Sequence, residues 1–405
     1  MPHKSTKYNS SKIVLFLISP FLSLIYSLKS MDTKSSLRVL FFFCVFFGMA
    51  FTVSNIRTEG SSDGVSYRAS FEEYCSTTDA DYKKTIDDYL TFSGKVKDIY
   101  ADTMSYVVSR FSDNYHVFFM FIAIIFAFFH VNSIKFLTQN PQYNNNLTCL
   151  LLLLLFSFVQ IKEINGLRFW TAYWVVIYAL FNLIIKQRKK YIIFIFISPL
   201  IHASYVVVWI LFLIYYVFKK FTRIWIILLI ISIFFSNYSI LLIQDNAGNT
   251  PAFLLPFVDY YADDKIVSAV NSSGSGFYIF DKIFSTLVNL YLNIALIFIY
   301  IRSKSAIWKK EQKLLNLLSI TLIFVAFSNF VMPIPSLGKR FFIFSYPLIS
   351  YLWLTIIGNK QNSYVLIMPI IFIMAIYHLL LAYVENVDSL FYVASPIVDI
   401  FRYII

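Results

Sequence analysis

Residues Tyr191 to Phe218 run for 28 positions without a Lys, Arg, Asp or Glu. As a single helix they would measure about 42 Å, more than the roughly 30 Å hydrocarbon core of a bilayer requires. Lys186, Arg188, Lys189 and Lys190 precede the stretch, and Lys219, Lys220 and Arg223 follow it. Basic flanks stay on the cytoplasmic side, so both ends belong on one side and the segment has to fold back. Pro199 to Ser204 is where it turns, with His202 in the turn. The expected form is a hairpin, or a re-entrant pair of short helices.

The rest of the chain alternates in the same way. Apolar spans are expected at Ile13–Leu28, Leu37–Asn55, Tyr115–Val131, Leu147–Ile161 and Gly166–Ile185 before the hairpin. Thr222–Ile243, Ile279–Ile301, Leu314–Val331, Phe341–Ile357 and Tyr364–Val384 follow it. Only 14% of the 405 residues are charged and 59% are hydrophobic, against about 25% and 45–50% in soluble domains. The fold class is therefore all-α: residues 1–405 form one polytopic membrane domain of about 11–12 transmembrane segments, counting the short-helix hairpin. Two larger loops, 56–114 and 244–278, fall on the periplasmic side. The tail from Glu385 to Ile405 is expected outside as well.

Charge placement supports this topology. The inner segments hold 17 of the 34 Lys and Arg but only two of the 22 acids, Asp32 and Glu311. The 56–114 loop holds 11 acids against seven bases. Most of the net charge of +12 is thus topology, which removes a nucleic-acid partner from consideration. One conflict stands at the start, where the scheme puts Lys4, Lys7 and Lys12 outside. Either a short amino terminus is translocated, or Ile13–Leu28 does not fully cross. No small-x-small cleavage site follows that segment, so it reads as an uncleaved span. Cys44, Cys75 and Cys149 are too scattered for a disulfide framework or a metal site. No internal repeat suggests an inverted-repeat transporter.

Chemistry is sought first where the second span ends, at Asn55–Phe71, N-I-R-T-E-G-S-S-D-G-V-S-Y-R-A-S-F. Gly60 and Gly64 permit a tight turn that returns Asp63 to the membrane surface. An interfacial turn accounts for the same residues, with Arg57 on lipid phosphate and Asp63 capping a helix from Val65. Arg168 opens the fifth span from the outer side, where positive-inside anchoring gains nothing. It needs a phosphate or carboxylate partner, or it snorkels to headgroups. Lys339 and Arg340 occupy another short outer turn. An anionic ligand explains three outer loops that each offer a cation near the bilayer, and a lipid-linked pyrophosphate fits guanidinium forks. His202 is a candidate functional residue, or a neutral hydrogen-bonding one that holds its turn.

These residues together resemble the EpsG/Wzy group of polysaccharide polymerases. The resemblance rests on I-R-x-x-G-S-x-D-G-x-x-Y-x-x-x-F at Ile56–Phe71, N-x-x-R at Asn165–Arg168, L-I-H-A-S at Leu200–Ser204, and Arg340 followed by aromatics to Tyr346. Family members often carry Gln after the span-opening Arg, where this chain has Phe169. The resemblance implies an enzyme of O-antigen, lipopolysaccharide or exopolysaccharide synthesis, a glycosyltransferase in the bacterial inner membrane with its site facing the periplasm. A growing glycan on undecaprenyl pyrophosphate would be moved onto the next lipid-linked repeat unit, with a chain-length regulator as a partner protein. Arg57, Arg168 and Arg340, with Lys339, would hold the departing pyrophosphate. Asp63, and after it His202, would take the acceptor proton, and Tyr67 would line the site. No cofactor or metal is expected, because guanidinium groups stabilise the leaving charge.

Three other readings share parts of this pattern. A flippase of lipid-linked oligosaccharide would want charges along a central pathway, whereas here they cluster outside. An O-antigen ligase or another lipid-linked glycosyltransferase has the same chemical needs. An acyltransferase would want a catalytic His in a supporting motif.

Overall fold

Pro20 decides how the first apolar segment folds in the computed structural model, which describes residues 10–53, 62–91, 96–235, 276–303, 311–332, 334, 337–359 and 390–405. Proline supplies no amide donor and clashes with the preceding turn, so it breaks a helix interior but suits a helix start. The segment accordingly splits into α1 (Ser10–Ile18) and α2 (Pro20–Leu28), with Ser19 Oγ accepting the Leu22 N–H. Each helix is about 13 Å long, too short to cross. The two fold back on each other. Ser23 Oγ donates to the Lys12 carbonyl at 2.6 Å, and the Lys12 ammonium donates to Ser30, Thr33 and Ser36. The first apolar segment therefore does not cross as one helix, and its basic start returns beside the Lys29–Lys34 turn.

The described residues are mostly helical, with no strand among them. They belong to two compact units, one made of Met1–Asn146, Val159–Trp209 and Val384–Ile405, the other of Leu147–Phe158 and Ile210–Tyr383. In the first unit, Thr33 caps α3 (Lys34–Ala50) by accepting the Ser36 N–H. Within the 56–114 segment, α4 (Asp63–Tyr74), α5 (Asp79–Leu90) and α6 (Tyr100–Ser109) form. The T-x-x-D sequence Thr78–Asp81 starts α5 as a reciprocal capping box. Arg110 donates to the Tyr74 and Thr77 carbonyls at 2.8 and 3.0 Å, satisfying the otherwise orphaned end of α4.

The 24-residue α7 (Tyr115–Thr138) is the spine of this unit. It packs along α3 at Gly48, where a Cβ would stand 2.3 Å from Ala123 Cβ and 2.8 Å from the Phe119 carbonyl oxygen. Arg68 fastens α4 above it by donating to the Val53 carbonyl at 2.6 Å, pairing with Glu72, and lying 3.9 Å from the centre of the Tyr115 ring.

α8 (Leu147–Phe156) belongs to the second unit, whereas α9 (Leu167–Leu180), entered through the tight turn Ile161–Gly166, belongs to the first. The long apolar stretch is interrupted as expected, as α10 (Ile192–Ile201), a turn at 202–205, and α11 (Val206–Phe218). Trp209 Nε1 donates back to the Ile195 carbonyl at 2.6 Å, a contact that a continuous helix would not permit.

The second unit contains α12 (Thr222–Phe234), α13 (Gly276–Ser303), α14 (Gln312–Phe330), α15 (Gly338–Ile343) and α16 (Tyr346–Ile356). Buried amides pin three of these helices together. Asn329 Nδ2 donates to Ser232 Oγ at 3.1 Å and to Asn293 Oδ1 at 2.9 Å. The terminal helix α17 (Pro396–Tyr403) lies in the first unit.

Four stretches among the described residues are long and apolar enough to cross a membrane: Tyr115–Thr138, Leu147–Ile185, Thr286–Ser303 and Gln312–Phe330. Two apolar helices, Ala203–Phe218 and Thr222–Phe234, are shorter. The protein is a multi-pass, all-α membrane protein. The expected span at Tyr364–Val384 and the loop at 244–278, up to Ser275, lie outside the described residues.

Candidate functional site

Helix α4 starts at Asp63, two residues earlier than the sequence suggests, so Asp63 sits in its first turn rather than at the cap. Spacing by four then places Asp63, Tyr67 and Phe71 on one face. Phe71 is buried and stacks on Phe118 with ring centres 5.0 Å apart. Tyr67 is buried beside it, and Asp63 is exposed at the end of the row. Gly64 serves close approach rather than a turn. A Cβ there would lie 2.5 Å from Asn165 Oδ1 and 3.2 Å from the Phe51 ring, so the missing side chain lets α4 settle against the start of α9.

Arg168 reaches this face from α9. Its Nε–H donates to the Tyr67 hydroxyl at 3.0 Å, and Nη1 donates to both Asp98 carboxylate oxygens at 3.0 and 3.1 Å. The Asp98 side chain is 3% exposed and that of Arg168 33%. Among the described residues nothing accepts from Nη2, so one nitrogen of the guanidinium remains for a ligand.

Asp98 stands just before α6 and joins three elements. The next residue, Ile99, donates its N–H to the Leu200 carbonyl at the end of α10, at 3.1 Å. Burial raises the Asp98 carboxyl, while Arg168 and the Ala203 amide N–H favour its charged form. Asp102, one helical turn along α6, accepts from the Tyr74 hydroxyl at 3.2 Å. Burial raises this carboxyl too, against Tyr74 and then Arg168. Burial likewise raises the Tyr67 phenol; Arg168 opposes the rise, and the charges of Asp63 and Asp98 add to it. Tyr67 therefore stays a neutral phenol at neutral pH.

His202 forms the turn next to Ala203. Its Nδ1 lies 2.8 Å from Ser204 Oγ and accepts the Ser204 N–H at 3.3 Å, while its ring meets Phe169 edge-on at 5.3 Å. A ring whose Nδ1 accepts carries its proton on Nε2, a tautomer assigned here from the hydrogen bonds. In this geometry Nδ1 is an acceptor and Nε2–H a donor. Tyr205 anchors the turn by donating to the Phe169 carbonyl at 3.0 Å.

Four of the residues singled out in the sequence, Asp63, Tyr67, Arg168 and His202, thus gather in the first unit, with Asp98 among them. Arg57 lies outside the described residues. Lys339 and Arg340 are half-buried at the start of α15 in the second unit. Sequence reasoning missed Asp98 and Asp102. The available signal was their spacing of four at a helix start, together with an Arg168 for which a phosphate or a carboxylate partner was expected.

A family model described as the EpsG family matches residues 39–393, most of the chain. No curated protein and no solved structure matches it.

Proposed function

We propose, from the premise that this chain belongs to the EpsG family of Wzy-type polysaccharide polymerases, that it polymerises undecaprenyl-pyrophosphate-linked repeat units of an O-antigen or capsule type. The growing glycan leaves its carrier and joins the next lipid-linked unit at the periplasmic face of the bacterial inner membrane. The observation that carries this reading is Arg168, held at Nε and Nη1 by Tyr67 and Asp98 with Nη2 left for a ligand.

In the transfer, an acceptor sugar hydroxyl attacks the anomeric carbon of the growing glycan. Asp63 takes the hydroxyl proton as the new carbon–oxygen bond forms. The bond from the anomeric carbon to the carrier pyrophosphate breaks with its electron pair on the phosphate oxygen. Arg168 meets that developing charge, a task for which preorganised donors are worth several kcal/mol. His202 offers its Nε2–H, and the sequence singles out Arg57, Lys339 and Arg340 as further candidate cations for the pyrophosphate. Tyr67 keeps the guanidinium flat against the α4 face. A chain-length regulator protein would act on the product.

Deletion of the gene, followed by a gel of the surface glycan, tests the reading. Single-repeat caps in place of a ladder are expected, and restored length on complementation. Loss of all surface glycan with repeat units trapped inside would indicate a flippase, and long polymer left on the carrier a ligase. Arg168→Ala and Asp63→Asn are expected to abolish the ladder at normal protein level. A normal ladder from both variants sinks the site.

A further inference from the structure

We propose that Asp98 is a positioning residue, fixing the Arg168 guanidinium and tying it to the turn that follows α10 so that Nη2 is the nitrogen offered to the pyrophosphate. This rests on the polymerase reading above and adds to it a residue that does not itself meet the substrate.

A free arginine side chain rotates about four bonds and presents its donors in many directions. Here two nitrogens are restrained by different partners, Nε by Tyr67 from α4 and Nη1 by Asp98 from the start of α6. Two anchors fix both the plane of the guanidinium and its rotation within that plane. Asp98 is almost fully buried, whereas Arg168 is a third exposed, so the carboxylate stands behind the cation and does not occupy the approach of an anion. The carboxylate is itself fixed, because Ile99 N–H is bonded to the Leu200 carbonyl and the Ala203 amide acts on Asp98. Moving the turn after α10 would therefore move Arg168. A buried ion pair of this kind contributes little net stability and much orientation.

Asp102 is the neighbouring carboxylate on the same face, but its Oδ1 is taken up by Tyr74, and among the described residues the carboxylate bonded to Arg168 is that of Asp98.

The test uses purified full-length protein in lipid vesicles, with lipid-linked repeat units as substrate and initial chain-lengthening rates as readout. Wild type, Asp98→Asn, Asp98→Glu, Arg168→Lys and the two Asp98 changes on the Arg168→Lys background are compared, each checked for folding by thermal melting. Asp98→Asn is expected to lower kcat by about 10²-fold, the loss typical of one misdirected oxyanion donor. Asp98→Glu, which keeps the charge but shifts it, is expected to lie between. On the Arg168→Lys background neither change should cost more than about twofold further, because a residue that acts through Arg168 has nothing left to position. Full multiplicative losses on that background, or wild-type rates from folded Asp98→Asn, overturn the proposal. If Asp98→Asn fails to fold, Asp98→Glu on both backgrounds gives the same cycle. A wild-type protein that lengthens no glycan removes the polymerase reading and this proposal with it; one that does, with additive losses, removes only the role of Asp98.

Discussion

Arg168 donates from one nitrogen to both carboxylate oxygens of Asp98, a residue 70 positions earlier in the chain, at 3.0 and 3.1 Å. The pair joins the start of α9 to the residue two positions before α6, and it is shielded on the carboxylate side. An arginine at such a place is costly unless paired, and the pairing here consumes only part of its donor capacity.

Replacing Arg168 by Lys keeps the charge and loses the fork. A lysine ammonium cannot be held flat by two separate acceptors while presenting a third donor. Polymer formation is expected to fall at least tenfold on the scale of one lost directed donor, roughly 10²-fold at most, with normal membrane insertion. Quantifying the glycan ladder against protein level by immunoblot checks this; an unchanged ladder would show that charge alone suffices.

Tyr67→Phe removes one oxygen and leaves a buried ring on the same face of α4. The Arg168 Nε–H then loses its acceptor, while the packing around Phe71 and Phe118 remains. We expect activity to drop by about tenfold, the worth of one hydrogen bond to a charged group, roughly 1.5 kcal/mol. The melting temperature should change by no more than a few degrees. Measuring both on one preparation separates the effects, and a large fall in melting temperature with full activity contradicts the assignment.

Asp63→Asn should remove the base without disturbing the fold, because Asp63 is exposed in the first turn of α4. A loss of 10²–10⁴-fold is the usual cost of a general base. Single-turnover rates in vesicles read it directly. Rates within about threefold of wild type would move the base elsewhere, since such a loss is far below general-base scale.

Acidification should inactivate the protein before it unfolds it. Burial raises the carboxyls of Asp98 and Asp102, so they take up protons at a higher pH than an ordinary Asp does. Protonation removes the charge that holds Arg168, and activity is lost as pH falls through the raised values. The stability linkage has the opposite sign: a carboxyl raised by folding binds its proton more readily in the folded state, so these two groups favour the fold as pH falls. Chain-lengthening rates and melting temperature followed over the same acid series check the order. Unfolding ahead of inactivation would remove these carboxyls as the cause.

Gly48→Ala places a methyl against two anchored neighbours, Ala123 Cβ and the Phe119 carbonyl oxygen. The helix-propensity gain of about 1 kcal/mol is opposed by overpacking of about 1–3 kcal/mol, and neither contact is the far end of a flexible side chain. A lower melting temperature is expected, read by thermal unfolding in detergent; a higher one would show that α3 and α7 move apart easily.

The local physics of the sequence determined a great deal here. Long apolar runs require helices, basic flanks on both sides of Tyr191–Phe218 require a reversal, and Pro199 and His202 mark where it turns. The four-residue spacing put Asp63, Tyr67 and Phe71 on one face once α4 formed. These features depend on neighbours within a few turns, so the chain carries them legibly. Other outcomes needed tertiary structure. Pro20 could kink a span or end one, and only the hydroxyls at Ser30, Thr33 and Ser36 around Lys12 settled on a fold-back. Arg168 required an anionic partner, but the 56–114 segment alone offers 11 acids. Which acid pairs with it depends on how α4, α6 and the turn after α10 pack, and no spacing rule spans 70 residues. The proton on His202 was equally undecided until Ser204 donated to Nδ1, because a ring tautomer is set by the bond its other nitrogen makes.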